Sequence, residues 1–173
     1  MNEKELRKGN IGIILNSYDD MFSGFDPRGY SEKALSDDFL IECKKAAREK
    51  GMDVELILFL AKEKRSFNNE LMIKKRLKNH FQRHFVEIEK SIKSIKKEGT
   101  VWFLIGALIM FSATFLYSLE QFFFKFLMIM SEPAGWFLFW EGLYKVFIES
   151  REKKSNYNFY KKMTRAKITF ENS

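Results

Sequence analysis

The chain has 173 residues, a formal net charge of +7 and 46% hydrophobic residues. That length bounds it to one small soluble domain besides any membrane segments. Its Lys and Arg clusters come without an aromatic platform motif, which argues against nucleic acid as a partner, and its single cysteine, Cys43, excludes an internal disulfide and suits a reducing compartment.

Taken in chain order, "IGIILN" (11–16) has the length and apolar character of a short strand. It is too short for a signal-peptide core and lacks a cleavage site, so no secretory signal is expected. "GFDPRGY" (24–30) reads as a turn built by Asp-Pro and two glycines around Pro27. A helix is then expected from Ser36, a favourable N-cap, with Asp37 and Asp38 at the positive end of the helix dipole. Phe39, Leu40, Cys43, Ala46 and Ala47 form its apolar stripe, and Gly51 is expected to end it. Cys43 on that stripe reads as a small buried hydrophobe.

"DVELILFL" (53–60) predicts the second strand, with Val54, Leu56, Leu58 and Leu60 on one face and Ile57 and Phe59 on the other. Apolar character on both faces predicts burial on both sides. Strand, helix and strand at this spacing predict a parallel βαβ unit over 1–65 with a right-handed crossover.

Residues 66–99 predict a long amphipathic helix capped by Ser66, with Leu77, Phe81, Phe85, Ile88, Ile92 and Ile95 along one stripe. Its length of about 50 Å exceeds what a small sheet needs. Its first half is expected on the sheet and its second half as a stalk. The stripe has coiled-coil spacing over only about two heptads, which permits a homo-oligomer without indicating one. Residues 101–119 then carry no charge over 19 positions, enough to cross a hydrocarbon core of about 30 Å. A second apolar stretch follows at about 122–141 with an extension to 148. Residues 100–148 therefore predict a transmembrane helical hairpin. The tail, 149–173, is basic, and its segment 166–171, "AKITFE", can add an edge strand. The expected fold class is an α/β membrane protein: a small cytoplasmic βαβα domain, with a third strand from the tail, on a helical stalk leading into the hairpin.

Charge sets the expected topology. Nine Lys/Arg lie between Lys74 and Lys97 and seven between Arg151 and Lys167, whereas the connection between the apolar stretches offers only Lys125. The positive-inside rule then places both flanks and both termini in the cytoplasm of an inner (plasma) membrane. The two basic blocks would meet anionic inner-leaflet lipids.

Depth follows from a turn at Glu120–Gln121. Trp102 lies 18 residues before Glu120 and Trp140 lies 20 after it, so both fall near the inner interface. Gly106-Ala107 then comes level with Ala134-Gly135, small residues facing small residues. Glu141 and Lys145 reach the inner interface at ion-pair spacing. Glu132 falls about 18 Å from the turn, inside the hydrocarbon, where a charged carboxylate costs at least about 2.5 kcal/mol. Pro133 frees a carbonyl near Ile129, and Glu132 as the neutral acid could donate to it, or to Ser112 or Thr114. Glu132, Pro133 and Trp136 are the intramembrane candidates. A competing register starts a fresh helix at Ser131 as N-cap and makes Glu141 the buried acid.

In parallel α/β units ligands bind beyond the carboxyl ends of the strands. Those ends offer Asn16, Ser17, Asp19, Asp20, Asp26 and Arg28 after the first strand, and Lys62, Lys64 and Arg65 after the second. Cations beside a helix N-terminus fit a nucleotide or phosphate; the bland alternative is a salt-bridged loop set. His80, His84 and Glu87 share one helical face, a weak metal pattern without a cysteine cluster. There is no HExxH, P-loop, GxSxG or Cys/His nucleophile pair, and no cofactor is implied.

"SYDDMFSGFDPRGYSEKALSDDFL" followed by "EPAGWFLFWEGL" resembles an uncharacterised family of small prokaryotic two-span membrane proteins. The resemblance covers most of the chain and implies an architecture rather than an activity. It directs attention to Asp19, Asp20, Asp26, Arg28, Asp37, Asp38, Glu132 and Trp136.

The function expected is non-enzymatic: a membrane sensor or effector whose cytoplasmic domain meets an anionic ligand or an operon-encoded protein partner. One alternative is a structural anchor or subunit of a larger assembly. A second is a metal-dependent enzyme using the acidic loop.

Overall fold

The computed structural model describes residues 10–116 and 121–173. Their elements are β1 (Asn10–Ile14), a 3-10 turn (Tyr18–Met21), α1 (Asp37–Ala47), β2 (Glu55–Leu60), α2 (Phe67–Leu116), α3 (Phe122–Tyr144), a π-helical turn (Lys145–Glu149), a short α4 (Ser150–Glu152), α5 (Lys154–Arg165) and β3 (Lys167–Asn172). They fall into two compact units: residues up to Val86 with Tyr157–Ser173, and Glu87–Asn156.

The first unit is a parallel three-stranded sheet in the order β1-β2-β3. Ile11, Leu56 and Ile168 form one row across it, and Ile13, Leu58 and Phe170 the next. These rows point to one face, where Phe39 and Cys43 of α1, Ile73, Leu77 and Phe81 of α2, and Phe159 and Met163 of α5 complete a single core. Progressive strand order with same-handed crossovers puts every connection on the same side. The result is two layers; the described residues as a whole are mostly helical because of the long α2 and α3.

The expectation of strands buried on both faces is corrected. Ile57 is buried, but Ile14 is 61% exposed and Phe59 is half-buried. In β3 the residues of that second face are Lys167, Thr169 and Glu171, the polar half of an alternating strand. The third strand expected at 166–171 is present one residue later. β2 and β3 are joined through residues 61–166, so everything from the 3-10 turn after β2 to α5 is inserted into one crossover.

α1 begins after Ser36 as expected, though the Ser36 side chain makes no cap bond. Gly51 does not end the helix. α1 stops at Ala47, and Lys162 of α5 donates to the Ala47 and Lys50 carbonyls at 3.0 and 2.5 Å. A cation at the negative helix end satisfies carbonyls that a glycine cap would otherwise turn back on.

α2 runs unbroken over 50 residues. Its first part carries Ile73, Leu77 and Phe81, all fully buried at four-residue spacing. In the second unit its later part packs antiparallel to α3 along four glycines. A Cβ on Gly106 would meet the Phe139 backbone and lie 2.7 Å from the Gly135 oxygen; one on Gly99 would lie 2.8 Å from the Gly142 oxygen. Gly106 and Gly99 stand 14 and 21 residues before Glu120, and Gly135 and Gly142 stand 14 and 21 after Gln121. The expected pairing of the small residues therefore holds, centred on the expected turn, of which Glu120 lies outside the described residues. The Gly99–Gly142 contact extends it one step further. α3 continues through Pro133, and the Ser131 hydroxyl donates back to the Met128 carbonyl at 3.1 Å. A fresh helix starting at Ser131 is thereby excluded.

Both α2 and the α3-to-α4 stretch are long and apolar enough to cross a membrane. At the end of α3, Lys145 takes Glu98 at 3.3 Å and Glu149 at 3.6 Å, and lies 5.5 Å from the Trp102 ring centroid. This corrects the expected Glu141–Lys145 ion pair: the carboxylates within ion-pair distance of Lys145 are Glu98 of α2 and Glu149.

Candidate functional site

The carboxyl ends of the three strands carry the first candidate site. β1 leads into Asn16-Ser17, where the Asp20 carboxylate accepts from the Asn16 and Ser17 N–H groups at 2.7 and 3.3 Å. That carboxylate organises the chain reversal after the strand, as an Asx-type cap does. β2 leads into Lys62–Lys64, and Lys64 donates to the Asn16 carbonyl at 2.9 Å, tying the two loops together.

Arg65 is the centre of the edge. Its Nε donates to Glu70 Oε1 at 2.8 Å, Nη2 to Glu70 Oε2 at 3.2 Å and to the Phe170 carbonyl at 3.0 Å, and Nη1 to Asn172 Oδ1 at 2.7 Å. Glu70 is buried at 6% exposure, and a buried carboxylate needs such a fork to be tolerated. The Glu70 hydrogen bonds raise the Arg65 guanidinium above its ordinary range. The Tyr18 hydroxyl accepts from the Ser66 N–H at 2.8 Å and reaches Glu70 Oε1 at 3.4 Å. Burial pushes the Tyr18 phenol up.

Residues 17–36 form a loop that contributes Tyr18, Met21, Phe22 and Leu35 to the same core. Ser23 N–H bonds the Ala34 carbonyl and Ser36 N–H bonds the Met21 carbonyl, closing the loop base. Asp26 accepts from Arg28 at 2.7 Å and from the Ala34 N–H at 2.6 Å. The Arg28 hydrogen bond, followed by the Ala34 amide, holds the Asp26 carboxyl well below the usual carboxylate range. Asp19 takes Lys33 at 2.8 Å.

Of the residues expected at this edge, Asn16, Ser17, Asp20, Lys64 and Arg65 come together. Asp19 turns to Lys33, and Asp26 and Arg28 pair with each other inside the loop. Among the described residues of the edge, Lys62 is the one cation with no hydrogen bond or ion pair. Tyr18, Lys33, Glu70 and Asn172 were not foreseen. Glu70, one turn into a helix and five residues after Arg65, was the readable signal among them.

The His80 and His84 rings lie 4.3 Å apart, tilted by 55°, and His84 lies 5.4 Å from Tyr160. Among the described residues no group of three His, Cys, Asp or Glu is placed to hold a metal ion.

The second candidate site is a groove of about 340 Å³ on the hairpin unit, lined by Met110, Ala113, Thr114, Met128, Glu132 and Trp136. Glu132 and Trp136 are four apart on one face of α3, so they reach the groove together. Pro133, on the next position around the helix, does not line it. Thr114 comes level with them from α2, but its hydroxyl donates to the Met110 carbonyl at 3.2 Å. Comparisons with protein-family models, with curated proteins and with solved structures find no match to this chain, so its function must be read from these two sites and the helix that serves both units.

Proposed function

We propose that the chain is an integral membrane protein of two spans whose α/β unit senses or binds a partner in the cytoplasm and whose hairpin is the effector part. The observation that carries this reading is α2. One unbroken helix supplies core residues Ile73, Leu77 and Phe81 to the α/β unit and seam residues Gly99 and Gly106 to the hairpin. A rigid helix transmits displacement along its length, whereas a loop would absorb it.

The membrane part of the reading is supported by the surface of the hairpin. Leu104, Leu108, Phe111, Phe126, Ile129, Phe137 and Trp140 are all exposed. A soluble chain rarely leaves so much contiguous apolar surface bare. The even number of spans is supported by the sheet: β2 and β3 pair across the insertion, so the chain must return to the side it left. The basic flanks favour the cytoplasm for that side.

Impermeant thiol labelling in sealed vesicles tests the topology. Gln121→Cys and Ser173→Cys should label from opposite sides; labelling from one side would overturn the two-span reading. For the sensing half, nucleotides and inorganic phosphate are screened by thermal shift on the full chain. Stabilisation lost in Lys62→Glu supports an anionic ligand.

A second reading, a structural anchor without its own ligand, is favoured by the engagement of the edge cations. Lys64, Arg65, Arg28 and Lys33 all hold internal partners. Protein partners that co-purify equally with wild type and Lys62→Glu would support it.

A further inference from the structure

The groove on the hairpin has one acidic group among apolar ones. Its walls are two thioethers, one methyl group, one hydroxyl, one indole and the Glu132 carboxylate. No described residue gives that carboxylate a hydrogen bond or an ion pair. The nearby hydroxyls of Thr114 and Ser131 are turned into their own helices. The cation at the hairpin's other end, Lys145, is held by Glu98 and Glu149. Lys125 lies about 10 Å away along α3.

We propose that this groove binds a lipophilic organic cation of the quaternary ammonium or phosphonium class. The carboxylate supplies the counter-charge, and in a low-dielectric setting that attraction is strong. The Trp136 indole, 49% exposed and stacked with Trp140 at 5.7 Å, is the aromatic type best suited to a soft cation. Met110, Met128 and Ala113 fit the organic substituents. The volume is at the lower end for small-molecule sites, which span about 300–1,000 Å³.

Two other occupants fit less well. A hard metal cation needs about six oxygen ligands, and the groove offers one carboxylate beside a hydroxyl already engaged. A helix from a partner or a second copy needs small residues to approach closely. The hairpin's four glycines are closed inside its own seam, while Trp136, Phe137 and Phe126 stand outward.

The inference rests on the hairpin lying in a membrane, and the thiol labelling above reports that separately. The test is equilibrium binding of tetraphenylphosphonium to the full chain in liposomes, with neutral triphenylphosphine oxide as competitor. Wild type should bind saturably and the neutral compound should not compete. Glu132→Gln should weaken binding by about tenfold or more, and Trp136→Leu by about threefold or more. Glu132→Asp should retain most of the affinity, and Thr114→Val should be unchanged. Unaltered binding by Glu132→Gln, or equal competition by the neutral compound, would overturn the proposal. So would an oligomeric state that changes with Glu132→Gln when no saturable binding is found, which would assign the groove to a partner helix. If Glu132→Gln fails to stay monodisperse, Trp136→Leu decides: full affinity there rejects the site.

Discussion

Gly106 faces Gly135 so closely that a Cβ added to Gly106 would lie 2.7 Å from the Gly135 carbonyl oxygen. The contact is not symmetric. Gly106 and Gly142 would drive a methyl into the backbones of Phe139 and Phe103, which cannot move aside. At Gly135 the nearest atom is the Met110 Cγ at 2.8 Å, part of a side chain that can rotate. Gly106→Ala and Gly142→Ala are predicted to destabilise the hairpin by about 1–3 kcal/mol, as overpacking does, and Gly135→Ala by less. Unfolding by denaturing detergent titrated into mild-detergent micelles gives the order. Equal effects at Gly106 and Gly135 would refute the asymmetry.

Arg65 and Glu70 make the second prediction. Arg65→Met leaves the Glu70 carboxylate buried without its fork, and loss of about 3 kcal/mol is expected. That is the lower end for a broken buried pair, because the Arg65 side chain is 26% exposed. Arg65→Met/Glu70→Leu should recover part of it. Urea unfolding of the full chain in micelles measures all three, and a double variant no better than Arg65→Met would contradict the account.

Asp26 gives a pH prediction. Its carboxyl is held well below the ordinary range by Arg28 and the Ala34 amide. A depressed acid contributes stability that is present above its unfolded value and is lost as pH falls toward the folded one. The 17–36 loop should therefore stay closed through the pH range where free aspartates titrate. The Ala34 amide resonance should move only in stronger acid, and in Asp26→Asn it should be shifted at neutral pH. An Ala34 titration near pH 4 in wild type would reject this.

Burial raises the Cys43 thiol from 9.0 to about 12. Below pH 9 the folded and unfolded chains both keep the proton, and pH has no leverage through this group. Between about 9 and 12 only the unfolded chain releases it, so stability falls as pH rises. Cys43 should resist maleimide at pH 8 until the chain is unfolded. Rapid labelling of the native protein would contradict its burial, and its silence leaves introduced cysteines readable.

Much of the architecture was legible because it rests on periodicity. The uncharged run, the 3.6-residue stripe of Leu77 and Phe81, and the alternation of Ile168 and Phe170 each follow from which faces meet solvent. The Gly106–Gly135 level followed from counting outward from the turn. Gly99 was missed because "KKEGTVW" reads as a helix end, and only the register shows Gly142 opposite it. α5 was missed because Phe159 and Met163, four apart on a buried face, sit among four cations that mask the stripe. At the candidate edge the residue types were right, but their partners were not. Which groups Arg65 takes beyond Glu70 depends on where β3 ends, and no local pattern encodes that. The π-helical turn at Lys145 likewise leaves no mark in the sequence.

The insertion between β2 and β3 has a consequence for how the chain is made. β3 is made after the hairpin, and until it arrives Arg65 has neither Asn172 nor the Phe170 carbonyl to bond. Leu56, Leu58 and Leu60 meanwhile present an open strand edge, which invites pairing with other chains. With the hairpin in a bilayer, β3 can reach that edge only if both crossings were completed. A chain that made one crossing would strand β3 on the far side and leave the sheet unfinished. With the hairpin in a membrane, closure of the sheet would thus depend on both crossings, and a wrongly threaded molecule would keep its β2 edge exposed.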